Sequence, residues 1–100
     1  MTQNQVTISG KIAFEPKVYS EGKIATIVLN VYAGKTKEGK GKYIDVTVKA
    51  FDAKIVESLV NLGKGSNIIV TGRLAEDSYE KDGKKVKNLY VNANYVGMDA

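Results

Sequence analysis

The chain has 100 residues, with 15 Lys+Arg against 11 Asp+Glu for a formal charge of +4, and it contains no His, Cys or Trp. Without His and Cys there are no Ser–His or Cys–His nucleophile pairs, no His- or Cys-ligated zinc, no thiol chemistry and no disulfides, so a small enzyme is the least favoured class. A hydrophobic share of 43% fits one globular domain over residues 1–100; no apolar run nears the roughly 20 residues of a membrane span, and the polar N-terminus lacks a signal-peptide pattern, so a soluble cytoplasmic protein is expected.

Val6, Ile8, Gly10, Ile12 and Phe14 alternate with Thr7, Ser9, Lys11 and Ala13, the period of a first strand. Pro16 ends it, having no N–H to give a ladder. Phe14 shares the parity of Val6, Ile8 and Ile12 and is expected in the core. Ser20-Glu21-Gly22 signals a turn. Lys23 to Tyr32 reads as a second strand, with Ala25, Ile27, Leu29 and Val31 opposite Thr26, Val28, Asn30 and Tyr32. Tyr43 to Phe51 reads as a third: Ile44, Val46, Val48 and Ala50 form one face, and Tyr43, Asp45, Thr47, Lys49 and Phe51 the other. The period then becomes helical. Asp52 is an N-cap candidate, Ile55, Val56, Leu59 and Leu62 form an apolar stripe, and Gly63 is a stop. Ser66 to Leu74 is a fourth strand, open to extension towards Tyr79, and Asp82-Gly83 is a hairpin turn. Val86 to Val96 is a fifth, with Tyr90 and Tyr95 on opposite parities, so that at least one belongs to a core or an interface. Five strands with one helix between the third and fourth is the element order of an all-β OB-fold, a five-stranded Greek-key barrel.

The charge is concentrated. Residues 34–42 hold Lys35, Lys37, Lys40 and Lys42 against Glu38, and residues 81–87 hold Lys81, Lys84, Lys85 and Lys87 against Asp82, so each patch is +3. A surface for single-stranded nucleic acid needs cations to track phosphates and flat side chains on which bases stack. The third strand's polar face carries Tyr43 and Phe51, with Lys49 beside Phe51; Tyr32 is on the polar face of the second strand, and Tyr79 opens the second basic loop. Each has a plain structural reading. Phe51 can cap the core, Tyr43 and Tyr79 can be half-buried strand ends, Tyr32 can pack on a neighbouring strand or subunit, and the lysines can be solvated turns. Their grouping points instead to stacking on Tyr32, Tyr43, Phe51 and Tyr79, with phosphate contacts from Lys35, Lys37, Lys40, Lys42, Lys49, Arg73, Lys81, Lys84, Lys85 and Lys87. No cofactor or metal is called for. Gly34-Lys35-Thr36 does not complete a P-loop, because Leu29 stands where its first glycine belongs, and Glu76 and Asp77 are strand neighbours on opposite faces.

The run Asn4-Gln5-Val6-Thr7-Ile8-Ser9-Gly10-Lys11-Ile12, followed by Glu15-Pro16, resembles the first strand of bacterial-type and phage-type single-stranded-DNA-binding proteins. Gly22 to Leu29 is similar to their second strand, Lys64 to Leu74 to their fourth, and Ser78-Tyr79-Glu80-Lys81-Asp82-Gly83 to the hairpin that follows. The resemblance implies sequence-tolerant binding of single-stranded DNA during replication, recombination or repair, without enzymatic activity. It puts the family's stacking positions on Phe51, just before the helix, and on Tyr79, seven residues after Gly72. Two further positions fall near Lys35 and on Asp45, where Tyr32 and Tyr43 stand in. It also implies a homo-oligomer, a tetramer or a dimer, built partly on the first strand. The family's cellular members continue into an acidic tail that recruits replication proteins; this chain stops at Ala100, as expected of a minimal phage, plasmid or specialised form or of a trimmed chain. Two other functions fit the same pattern: a primosome-type OB adaptor acting through protein partners, and an RNA-binding OB module.

Overall fold

The computed structural model describes residues 3–99; Met1 and Thr2 of the polar N-terminus, and Ala100 of the chain end, lie outside the described residues. Six strands and one α-helix follow in the order β1 (Val6–Ile12), β2 (Lys17–Tyr19), β3 (Ile24–Lys35), β4 (Gly41–Ala50), α1 (Ala53–Leu62), β5 (Asn67–Lys81) and β6 (Lys84–Met98). The ladder runs β1-β5-β6-β4-β3 and returns to β1, so five strands close into a barrel with the helix between β4 and β5: an OB-fold.

Period-2 patterning places the core. Ile12, Ala25, Ile27, Leu29, Val48, Ala50, Ile68, Val70, Val91 and Ala93 are buried and form one cluster with Val56 and Leu59 of α1. Each large member contributes about 1.5–3 kcal/mol by leaving water. The helix starts where Asp52 Oδ1 accepts from the Lys54 and Ile55 N–H groups at 2.8 and 3.4 Å, and ends with the Gly63 N–H on the Leu59 carbonyl at 2.9 Å. Its apolar stripe packs against β6, β3 and β4.

Three irregularities set which side chains face outwards. β1 pairs with β3 at Ile12↔Leu29, but β2 resumes on the same edge at Lys17↔Thr26, so two extra residues bulge out between them around Pro16. Phe14 lies in that bulge and is 60% exposed, contrary to its expected place in the core. The strand β2 that follows is not apparent in the alternation. On β3 a second bulge falls between Tyr32 and Lys35. The third lies on β6, where Thr71↔Tyr95 is followed by Gly72↔Ala93, leaving Asn94 unpaired. It puts Tyr90 and Tyr95 on the same outer face, where simple alternation sets them apart. Ile44 shares the face of Val46, Val48 and Ala50 but is exposed, because β4 is exposed throughout from Gly41 to Asp45, where it runs past the barrel.

Gly72 sits at the third bulge, where a Cβ would lie 2.1 Å from the Asn92 carbonyl oxygen. Asn4 extends the β1–β5 ladder with its side chain: its amide donates to the Leu74 carbonyl and accepts the Leu74 N–H, both at 2.8 Å. Asp82 (φ 53°) and Gly83 (φ 75°) form the turn of the long β5–β6 hairpin, with both central residues left-handed as a tight hairpin turn requires.

Candidate nucleic-acid interface

The outer faces of β3 and β4 are continuous. The cross-strand pairs Tyr32↔Tyr43, Asn30↔Asp45, Val28↔Thr47 and Thr26↔Lys49 put these residues side by side on the solvent face. Tyr32 and Tyr43 meet edge to face, with centroids 5.6 Å apart at 71°, and both rings stay more than half exposed. Phe51 follows β4 at the helix end and is 49% exposed, so it does not cap the core. At about 3.3 Å per residue, Tyr43 and Phe51 mark the ends of a face roughly 27 Å long. Asp45 lies within it and accepts from the Asn30 amide at 3.2 Å.

The β5–β6 hairpin adds a second surface. β4 and β6 run parallel at Val48↔Val91, so the basic turns preceding each strand both lie at the barrel end away from α1. Alternation divides the hairpin in two. Ala75, Asp77, Tyr79 and Lys81 share a face with Lys84, Val86, Asn88 and Tyr90. Glu76, Ser78 and Glu80 share the other with Lys85, Lys87 and Leu89. The first face joins the outer face of β4 through Lys49, whose ammonium pairs with the Asp77 carboxylate and lies 4.6 Å from the centroid of the Tyr90 ring.

The candidate cations are therefore sorted by geometry. Lys35 is opposite Gly41, and the β3 bulge turns it onto the side of Tyr32 and Tyr43. Lys49, Arg73, Lys81 and Lys84 are on the outer side as well, and Lys37 and Lys40 stand in the turn between β3 and β4. Lys42 alternates to the opposite side. Lys85 and Lys87 face away from Tyr79, with Lys87 Nζ 3.9 Å from Glu76. Tyr79 is 49% exposed on the face with Lys81 and Lys84.

Two more residues stand on this face without having been singled out from the sequence, Tyr90 and Asp77. Tyr90 stands among asparagines on the polar parity of its strand, the same signal that singled out Tyr43. Asp77 has no local signal, because its partner lies 28 residues away. It occupies Lys49 on the face that would meet phosphate. Asp77→Asn frees that ammonium, and we expect affinity for single-stranded oligonucleotide to rise about two- to five-fold, the scale of a part-exposed ion pair of about 0.5–1 kcal/mol. The slope of log K against log salt should steepen by about 0.7. Titration of both proteins at four salt concentrations checks it; an unchanged slope would show that Lys49 does not meet phosphate.

These features define an OB-fold barrel with exposed aromatic rings and cations on one continuous outer face. The sequence matches the profile of the single-strand binding protein family over residues 3–99, and the chain belongs to that family. Among solved structures it resembles a small single-stranded DNA-binding protein from Streptomyces coelicolor, with TM-score 0.74 and 20% identity, over 99% of this chain and 96% of that one. It also resembles a Plasmodium falciparum SSB solved in complex with ssDNA, with TM-score 0.79 and 20% identity, over 97% of this chain and 93% of that one. No curated protein sequence matches it. Among the described residues, no helix is long and apolar enough to cross a membrane.

Proposed function

We propose that this protein binds single-stranded DNA with little sequence preference and holds exposed strands during replication, recombination or repair, with no catalytic step of its own. Family membership supports single-strand binding. The observation that carries the mechanism is the exposed aromatic series Tyr43, Phe51 and Tyr79 on a face bordered by two lysine-bearing turns. Bases stack on the rings, which accept any base because every base has a π-face. Phosphates pair with lysines on the same side, Lys35, Lys81 and Lys84 foremost. A homo-oligomer is part of this reading, as a tetramer or a dimer. It is supported by β1, which pairs with β5 over Val6–Lys11 but with β3 only at Lys11 and Ile12, so one edge of its first half is left for another strand. The protein acts wherever that DNA is, the cytoplasm of a bacterial cell or of a phage host.

Titration with oligo-dT, followed through tyrosine fluorescence at several salt concentrations, tests the proposal. With about five phosphate contacts, log K should fall with log salt at a slope near −3.5. Equal affinity for duplex and single strand would overturn it. Tighter binding to oligo-U than to oligo-dT would move the reading to RNA, because a 2′-OH would then be sensed. Sedimentation of the same samples gives the oligomer.

A further inference from the structure

The bulge between β1 and β2 does more than interrupt a ladder. The Ala13 N–H still donates to the Val28 carbonyl at 2.9 Å, and the ladder resumes only at Lys17↔Thr26. Between these points Phe14 is turned out of the barrel, although it shares the parity of Ile8 and Ile12. Its ring stands at a cleft of about 400 Å³ that it lines with Glu15, Lys17, Thr26, Ile27 and Val28. Thr26 and Val28 are on the outer face of β3, paired with Lys49 and Thr47 of β4. Lys17 shares that side, as the partner of Thr26. The cleft is therefore continuous with the face that carries Lys49 and Tyr90. Three interstrand steps of about 4.8 Å separate Phe14 from Tyr90 across β3 and β4, roughly 14 Å in all.

We propose that Phe14 is a further stacking site for an unpaired nucleobase, with Lys17 pairing the adjoining phosphate, so that the bound strand crosses β3 as well as following β4. The inference rests on the single-strand reading above and adds a subsite to it. Three features support a base of the same strand as the occupant. A flat ring is left 60% exposed by a local insertion, it lines one cleft with the apolar Val28, and Lys17 lines the same cleft beside Glu15. The same combination of ring and lysine occurs at Tyr90 with Lys49. Bulges recur where a fold re-aims a side chain at a ligand.

The chain has no tryptophan, so Phe14→Trp installs a single indole reporter at the cleft. Oligo-dT of graded length is titrated into wild type, Phe14→Trp, Phe14→Leu and Phe14→Ala, with thermal melts confirming that each variant folds. The expected result is quenching of the indole on binding, and a loss of affinity of about five-fold or more in Phe14→Ala, the lower end for one stacked base. The loss should be smaller for oligonucleotides too short to reach from Tyr90 to Phe14. Wild-type affinity at every length together with an unquenched indole would overturn the subsite while leaving the single-strand reading intact. No binding by wild type would overturn both. A change in sedimentation with no change in affinity would assign the cleft to a second copy of the chain and overturn the proposal.

Discussion

Replacing Phe51 and Tyr79 together by alanine is expected to lower affinity for oligo-dT at least about 30-fold, from two stacked bases at about 1–3 kcal/mol each. The two rings stand on different elements: Phe51 follows β4 at the helix end, and Tyr79 is on β5 in the hairpin. A strand that stacks on both must span the face between them, so each single variant should shorten the occupied length as well as weaken binding. Both side chains are about half exposed, so the loss is not one of folding, and the double variant should melt close to wild type. Its salt slope should stay near the wild-type value, because the lysines are untouched. Fluorescence titration and a thermal melt of the same preparation separate these effects. Unchanged affinity would favour an adaptor that works through protein partners.

The largest effect on stability is expected at Gly72. It has no left-handed φ, so the constraint is steric. A Cβ would sit 2.1 Å from the Asn92 oxygen and 3.0 Å from the Ala93 Cα. Both atoms are backbone of β6 and cannot swing aside. Gly72→Ala must therefore push β5 and β6 apart beside the Asn94 bulge, next to Val70 and Val91 of the core. We expect a cost of about 3 kcal/mol, the upper part of the range for overpacking. For a chain of this size that lowers the melting temperature by roughly 12 °C or more. Urea denaturation measures it directly, and a midpoint within error of wild type would mean the barrel gives way at β6 more easily than its packing implies.

Tyr43, Asp45, Thr47, Lys49 and Phe51 were readable as one outer face because β4 is regular from Tyr43 onwards and pairs without a shift as far as Tyr32. The helix was readable from Asp52 and its apolar stripe for the same reason, since both signals are local. Phe14, Lys35 and Tyr95 were not, because each lies at or beyond a bulge: one inserted residue reverses parity at Lys35 and Tyr95, and the two-residue bulge turns Phe14 out of the ladder, none of it with a signature in composition. Lys49 was singled out as a cation, but its engagement by Asp77 depends on the parallel approach of β4 and β6, which no short window contains. The basic segment 81–87 looked like one patch; the pleat of the hairpin divides it.

That division gives the hairpin a direction. On the side away from Tyr79, Lys85 and Lys87 are matched by Glu76 and Glu80, so this side carries no net charge. On the other side Lys81 and Lys84 outnumber Asp77. At about 0.1 M salt the screening length is about 10 Å, comparable to the spacing between side-chain layers on the two sides of a sheet, so each side presents its own potential to the solution. If the protein binds single strands as proposed, a polyanion diffusing towards the hairpin would be drawn more strongly to the side that bears Tyr79 than to the charge-balanced back. Under the proposed function the hairpin would therefore act as a one-sided rail, selecting at first encounter the orientation in which a strand can go on to reach the barrel.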